Sequence, residues 1–158
     1  MPTTLGKPYL TTWRGKPPHM LREDHPVWYR FLDVYQEQMI KLYYDCLLGG
    51  IFLSKAEEND VFLKSWRMNT AKRADAIAET KTHVWIVEVA DNPGLRAIGQ
   101  LKTYQTLWLR DPVIKKPERM MLVCESVDPD LLDTAAMNGI EVYIYPADPE
   151  HPTYGSII

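Results

Sequence analysis

The stretch HVWIVEVADNPG, residues 83–94, constrains the fold more than any other segment of the chain. Val84, Trp85, Ile86 and Val87 form a short, uninterrupted apolar run with the composition of a strand buried on both faces. The run passes through Glu88, Val89 and Ala90 and stops at Asp91, Asn92, Pro93 and Gly94. Asn92 is a helix-capping residue type and Pro93 suits a first helical position, so a helix is expected directly after the strand. A strand followed by a crossover helix implies a parallel neighbour and therefore a covered sheet. Glu88 is the exception within this segment. A carboxylate in a buried strand needs either a partner or a function.

The elements around this stretch follow from patterning. Residues 1–22 are rich in Pro, Gly and Thr and read as an arm lying over the surface. Asp24 and Pro26 open a helix whose apolar stripe is Trp28, Phe31, Leu32, Tyr35, Met39 and Leu42, ending near Lys41. A strand is expected over residues 42–48, before the Gly49-Gly50 break, with a possible continuation beyond it. The charged segment after it reads as a loop with a short helix around Val61 to Met68. RADAIAET and HVWIVEVA, joined by Lys81 and Thr82, form a hairpin. The helix after Asn92 carries Leu95, Ile98, Leu101 and Trp108 on one side. ERMMLVCES is a strand, and DPDLLDTAAMNG a helix capped by Asp128, opened by Pro129 and stopped by Gly139. IEVYIYP closes the sheet. The expected class is α/β, a mixed central sheet flanked by helices in the order αβββαβαβ, with one domain at 23–146 and a tail at 147–158.

Composition narrows the function. A chain of 158 residues with 46% hydrophobic and 25% charged residues suits one folded domain. No apolar run reaches the roughly 18 residues of a membrane span, and the polar N-terminal residues lack a signal-peptide core, so a cytoplasmic location is expected. Cys46 and Cys124 have no CxxC spacing and read as reduced core thiols. A net charge of −3 argues against coating nucleic acid by bulk electrostatics. Locally, Lys64, Arg67, Lys72, Arg73 and Lys81 place five cations in eighteen residues, with only Asp75 and Glu79 as acids. This is a solvated face or a basic patch.

On the hairpin, Arg73, Asp75, Ile77 and Glu79 share one strand face, and Val84, Ile86, Glu88 and Ala90 share one on the other strand. Asp75 and Glu88 therefore project into one pocket, where two carboxylates repel unless a cation lies between them. A divalent cation such as Mg²⁺ takes one or two carboxylates, keeps waters and leaves room for phosphate oxygens. The four histidines, His19, His25, His83 and His151, lack HExxH or HxH spacing. The alternative is that both acids are sheet-edge residues balanced by Arg73 and Lys81. On the following helix, Arg96, Gln100, Thr103 and Tyr104 fall on one flank, able to face the end of the preceding strand or to form a half-exposed polar rim.

RADAIAETKTHVWIVEVADNPGLRAIGQLKTY resembles the core of the PD-(D/E)XK, restriction-endonuclease-like nucleases, and within them the RecB-like branch. That pattern has an acid on one core strand, Glu-x-Lys on the next, and Gln-x-x-x-Tyr on the following helix. Asp75, Glu88, Gln100 and Tyr104 stand at these positions. The resemblance implies that Asp75, Glu88 and a Val89 carbonyl hold Mg²⁺ or Mn²⁺ for phosphodiester hydrolysis. The motif lysine is replaced by Ala90. Arg96 is the best-placed substitute cation, Arg73 and Lys72 are weaker ones, and Lys102 lies about 160° away from Gln100 around the helix. Lys72, Arg73 and Arg96 are also the candidates for binding nucleic acid, and Asp45 or Glu37 for a further acid. The implied function is a metal-dependent DNA-processing nuclease, acting as a homodimer or within a larger assembly and not at a membrane. The alternative is a catalytically silent nuclease fold that binds DNA or serves as an assembly subunit.

Overall fold

The computed structural model describes residues 3–147. Its elements run α1 (His25–Tyr35), β1 (Met39–Leu48), α2 (Val61–Thr70), β2 (Lys72–Thr80), β3 (Val84–Ala90), α3 (Leu95–Arg110), β4 (Glu118–Cys124), α4 (Pro129–Met137) and β5 (Ile140–Ile144). This is the expected order, with the short helix expected around Val61 to Met68 present between β1 and β2 as α2. The five strands lie side by side in sequence order. β1, β2 and β3 are antiparallel neighbours, whereas β3–β4 and β4–β5 are parallel and are linked through α3 and α4. The mixed sheet follows from connection length. A short turn at Lys81 and Thr82 returns the chain antiparallel, and a helix carries it back to begin a parallel strand.

Both sheet faces are covered. Val27, Trp28, Phe31 and Leu32 of α1 pack with Trp85, Val87 and Val89 of β3 on one face. Ala97, Leu101, Tyr104 and Trp108 of α3, with Ala135 of α4, pack on Ile86 and Leu122 on the other. Trp28 is fully buried and donates its indole N–H to the Tyr44 hydroxyl at 2.8 Å, fixing α1 against β1. Cys46 and Cys124 are buried and unpaired. Among the described residues no helix is long and apolar enough to cross a membrane.

Several expected boundaries move. α1 stops at Tyr35 and a single 3-10 turn over Gln36–Gln38 leads into β1, so Met39 and Leu42 belong to the strand. Those two apolar residues fit the helical spacing and the inward face of a strand equally well, and the sheet wins. The chain leaves β1 through Gly49 and Gly50, both with positive φ, and no strand continues beyond them. At Gly50 a side chain would meet the Ala71 backbone at 3.1 Å, so this turn requires glycine on both conformational and steric grounds. α3 begins at Leu95 with Gly94 as its cap, two residues later than Asn92 and Pro93 suggest. Leu95 is exposed, while Tyr104, expected on the polar flank, is buried.

The arm is not merely laid across the surface. Thr4 pairs with Leu47 and Tyr9 with Leu42 in antiparallel bridges, covering the free edge of β1. It then turns back so that Pro18 and His19 reach the far end of β2. The tail expected at 147–158 lies outside the described residues apart from Ala147.

Candidate active site

The β2–β3 ladder covers Ala76 to Glu79 of β2 against Val84 to Val87 of β3, and goes no further. β3 continues to pair with β4 as far as Ala90 and Cys124, while β2 remains paired to β1 down to Lys72. The two strands thus part company at the Ala76–Val87 pair, and Asp75 and Glu88 are the first residues beyond it. Asp75 bridges the gap by accepting the Val89 backbone N–H on its Oδ2 at 2.8 Å. A side chain here replaces the strand partner that Val89 lacks on its β2 side.

The same point interrupts side-chain alternation. Ala76 and Ala78 face the α1 side and Ile77 faces α3, but Ala74 also faces α3. Asp45, in the neighbouring strand, has φ of 51°. The expected single face shared by Arg73, Asp75, Ile77 and Glu79 is therefore broken at Asp75. Glu79 is instead held at the other end of the strand by Lys116, Nζ to Oε2 at 2.6 Å.

Around this opening lies a cavity of about 500 Å³. Of the residues singled out from the sequence, Asp75, Glu88, Val89, Gln100, Tyr104, Arg96, Arg73 and Asp45 line it. Lys72 does not line it and points to solvent. The loop after β3 is held by Asp91, whose carbonyl accepts the N–H groups of Glu125 and Ser126 at 2.9 and 3.1 Å. The ends of β3 and β4 are thereby tied together beneath the site.

Charge within the cavity is segregated. Asp75 and Glu88 interact carboxyl to carboxyl, and the Tyr104 phenol approaches Glu88 from α3. Burial raises the Asp75 carboxyl above its ordinary range, with the Val89 N–H acting against it. Burial, then the Asp75 charge, raises Glu88 further. Glu88 Oε2 is buried without a hydrogen-bond partner. In the absence of a cation, such a pair is forced to hold a proton.

A third acid faces the pair. Asp24 was expected to cap α1, yet its side chain makes no cap hydrogen bond and turns inward. It is 4% exposed and accepts the Asp91 N–H at 2.9 Å. Burial pushes its carboxyl up to about 7, with Asp75 among the charges adding to the effect. Sequence patterning misses this role because Asp24 also fits a cap position, and the Asp24–Asp91 contact spans 67 residues. No local spacing reports such a pairing.

The cations stand apart from the acids. Arg73 donates to both oxygens of Asp45 at 2.8 and 2.7 Å, and His19 Nε2 lies 3.3 Å from the same carboxylate. Arg73 is thus committed to Asp45, which lines the cavity wall, while Glu37 sits exposed on the turn before β1. Arg96 is exposed at the rim and makes no hydrogen bond or ion pair among the described residues. Ala90 also lines the cavity, so a methyl group stands where the sequence resemblance would place a lysine. Lys102 is exposed and bonds Gln105 on its own helix.

The donor set suits a hard cation of low protein coordination. Among the described residues no group of three or more His, Cys, Asp or Glu side chains is arranged to enclose a metal ion. Two adjacent carboxylates with one unpartnered buried oxygen nevertheless fit Mg²⁺ or Mn²⁺, which take one or two protein carboxylates and fill the remaining positions with water and phosphate.

No family model matches the chain, and no curated protein does. Among solved structures it is similar to the crystal structure of a repair endonuclease from Pyrococcus abyssi, at 16% identity and a TM-score of 0.38. That likeness covers 62% of this chain and 49% of the other, so the chain spans about half the length of that structure.

Proposed function

We propose that the protein is a divalent-metal-dependent phosphodiesterase acting on DNA, with its chemistry at Asp75 and Glu88. The observation that carries this reading is the carboxylate pair of half-buried Asp75 and buried Glu88, with an unpartnered Glu88 oxygen, at the open end of β2 and β3. Asp75 and Glu88 would hold Mg²⁺ or Mn²⁺, and Asp24 would supply further negative charge from α1. Bound there, the cation would make water nucleophilic near neutral pH and stabilise charge on the phosphate.

The chain's own groups have separate roles. The Val89 N–H fixes the Asp75 carboxylate, and Tyr104 steadies Glu88 from α3. Arg96 would bind and orient the scissile phosphate at the rim. It stays protonated and takes no part as a base. Gln100 lines the cavity between Arg96 and Tyr104, one helical turn from each, where its amide can hold a nucleotide. Because Ala90 has neither charge nor a titratable proton, this reading requires water activation without the usual lysine.

The test is cleavage of supercoiled plasmid and labelled linear DNA with Mg²⁺ or Mn²⁺. Wild-type protein should cut, and both Asp75→Ala and Glu88→Ala should abolish cutting. Activity that survives both changes assigns the chemistry elsewhere. Absence of cleavage with DNA binding retained favours the second reading, a silent nuclease fold, which Ala90 at the lysine position specifically supports.

A further inference from the structure

Among the described residues two that are not glycine have positive φ, His19 at 61° and Asp45 at 51°, and their side chains meet, with His19 Nε2 3.3 Å from Asp45 Oδ2. Such a conformation is strained for a residue with a side chain and persists where the surrounding structure enforces it, often at functional sites. His19 occupies a turn in which the Pro17 carbonyl accepts the Met20 N–H at 3.3 Å. With proline second and positive φ third, such a turn ordinarily takes glycine or asparagine where this chain has histidine. The turn is also fixed in place. Pro17 and Met20 are buried, and Arg14 just upstream bonds Asp33 and Gln36 at 2.9 and 2.7 Å.

The turn sets an imidazole on the wall of the acid cavity. In the β1–β2 register Asp45 falls between the Tyr44–Ala76 and Cys46–Ala74 pairs, which stands it across from Asp75. Arg73 grips both Asp45 oxygens through Nη1, so the carboxylate that faces His19 is itself held still. A ring oriented by a fixed carboxylate is an arrangement that proton-transfer catalysis uses. Nε2 faces Asp45, and Nδ1 has no partner among the described residues. The charged groups around the ring are Asp45 from β1 and Arg73 from β2, with Asp24, Asp75, Glu88 and Arg96 elsewhere on the cavity wall.

The chemistry of the cavity leaves one task open. In-line cleavage of a phosphodiester expels a sugar oxygen, and that oxygen departs as an alkoxide unless it receives a proton. Arg73 and Arg96 stay protonated. Burial, then the Glu88 charge, raises the Tyr104 hydroxyl far above its ordinary range. Imidazole is the side-chain type that exchanges a proton near neutral pH.

We propose that His19, seated on Asp45, is the general acid that protonates the leaving oxygen. A water oxygen attacks phosphorus and releases a proton to solvent, the bond from phosphorus to the leaving oxygen breaks with its electron pair on that oxygen, and Nδ1 of the imidazolium supplies the proton. The neutral ring keeps its Nε2 proton on Asp45 and is recharged from solvent, to which its side chain is 63% exposed. This role rests on the hydrolytic reading of the acid pair and adds a residue that the sequence pattern does not contain.

Initial rates with Mg²⁺ are measured between about pH 5.5 and 8.5 for wild type, His19→Asn and Asp75→Ala, with circular dichroism to confirm folding. Asparagine tolerates the positive φ but carries no exchangeable imidazole proton. The two substrates are labelled DNA and thymidine 5′-(4-nitrophenyl phosphate), whose nitrophenolate leaves without needing a proton. His19→Asn should cut DNA about 10²-fold or more slowly and cleave the nitrophenyl ester at nearly the wild-type rate. The wild-type profile on DNA should bend downward as pH rises through the imidazole range, because the acid form is lost, and His19→Asn should lack that bend. An unchanged DNA rate in His19→Asn, an equal loss on both substrates, or a bend that survives the substitution overturns the proposal. If Asp75→Ala abolishes cutting while His19→Asn behaves as wild type, only the role of His19 falls. If wild type cuts neither substrate, the hydrolytic reading falls and this role with it.

Discussion

Asp24→Asn isolates the electrostatic cost of the acid cluster. The variant keeps an oxygen able to accept the Asp91 N–H and nearly the same volume, but it removes the ionisable group from a site that is 4% exposed. In the folded, metal-free protein Asp24 titrates at about 7, against 3.8 for the free group. Below the lower value both folded and unfolded chains are protonated, and the group makes no difference to stability. As pH rises toward the higher value, the unfolded chain gives up a proton that the folded chain retains, so stability falls. Each pH unit in that window costs about 1.4 kcal/mol, and the full loss, discounted for solvent access and relaxation, is on the order of 3 kcal/mol. Urea unfolding of wild type and variant in EDTA at pH 4, 6 and 8 measures this directly. The titrations of Asp75 and Glu88 are common to both proteins and cancel to first order. The two proteins should be similar near pH 4, and the variant should gain stability as pH rises, its midpoint shifting upward by roughly 1 to 3 M at pH 8. A stability difference independent of pH would refute the reasoning, because it would mean that folding does not perturb Asp24.

Two further outcomes test neighbouring parts of the structure. Ala90→Lys restores a titratable cation to a cavity-lining position and should raise cleavage with Mg²⁺ above wild type, measured as the initial rate of plasmid nicking; an unchanged or lower rate with metal binding intact would show that Ala90 is not what limits the site. Trp28→Ala removes a fully buried side chain and the donor to Tyr44, and should cost about 3 to 5 kcal/mol by chemical denaturation. A loss below about 1 kcal/mol would mean that α1 is not held to the sheet through this residue.

The order of the elements and the nature of the sheet were legible because their signals are local. A four-residue apolar run, a two-residue link and Asp128 followed by Pro129 each dictate one outcome, and β3, the hairpin and α4 appear accordingly. Asp75, Glu88, Gln100 and Tyr104 were found through their order along the chain, and they line one cavity. What escaped the sequence depends on distant contacts. Asp24 looks like a cap until Asp91 engages it, and Arg73 looks like a free cation until Asp45 does. Strict alternation put Asp75 on the Ile77 face, whereas the strand changes phase where it leaves β3. α2 was read at nearly its observed length, but nothing in its periodicity indicated that its apolar residues would be left uncovered.

The central claim is that Asp75 and Glu88 form a cation site. Crystals soaked in Mn²⁺ and measured at the manganese absorption edge test it most directly. The expected result is an anomalous peak within about 2.0 to 2.3 Å of an oxygen from each carboxylate, absent from Glu88→Gln crystals treated in the same way. No peak at saturating Mn²⁺, or a peak that persists unchanged in Glu88→Gln, would contradict it.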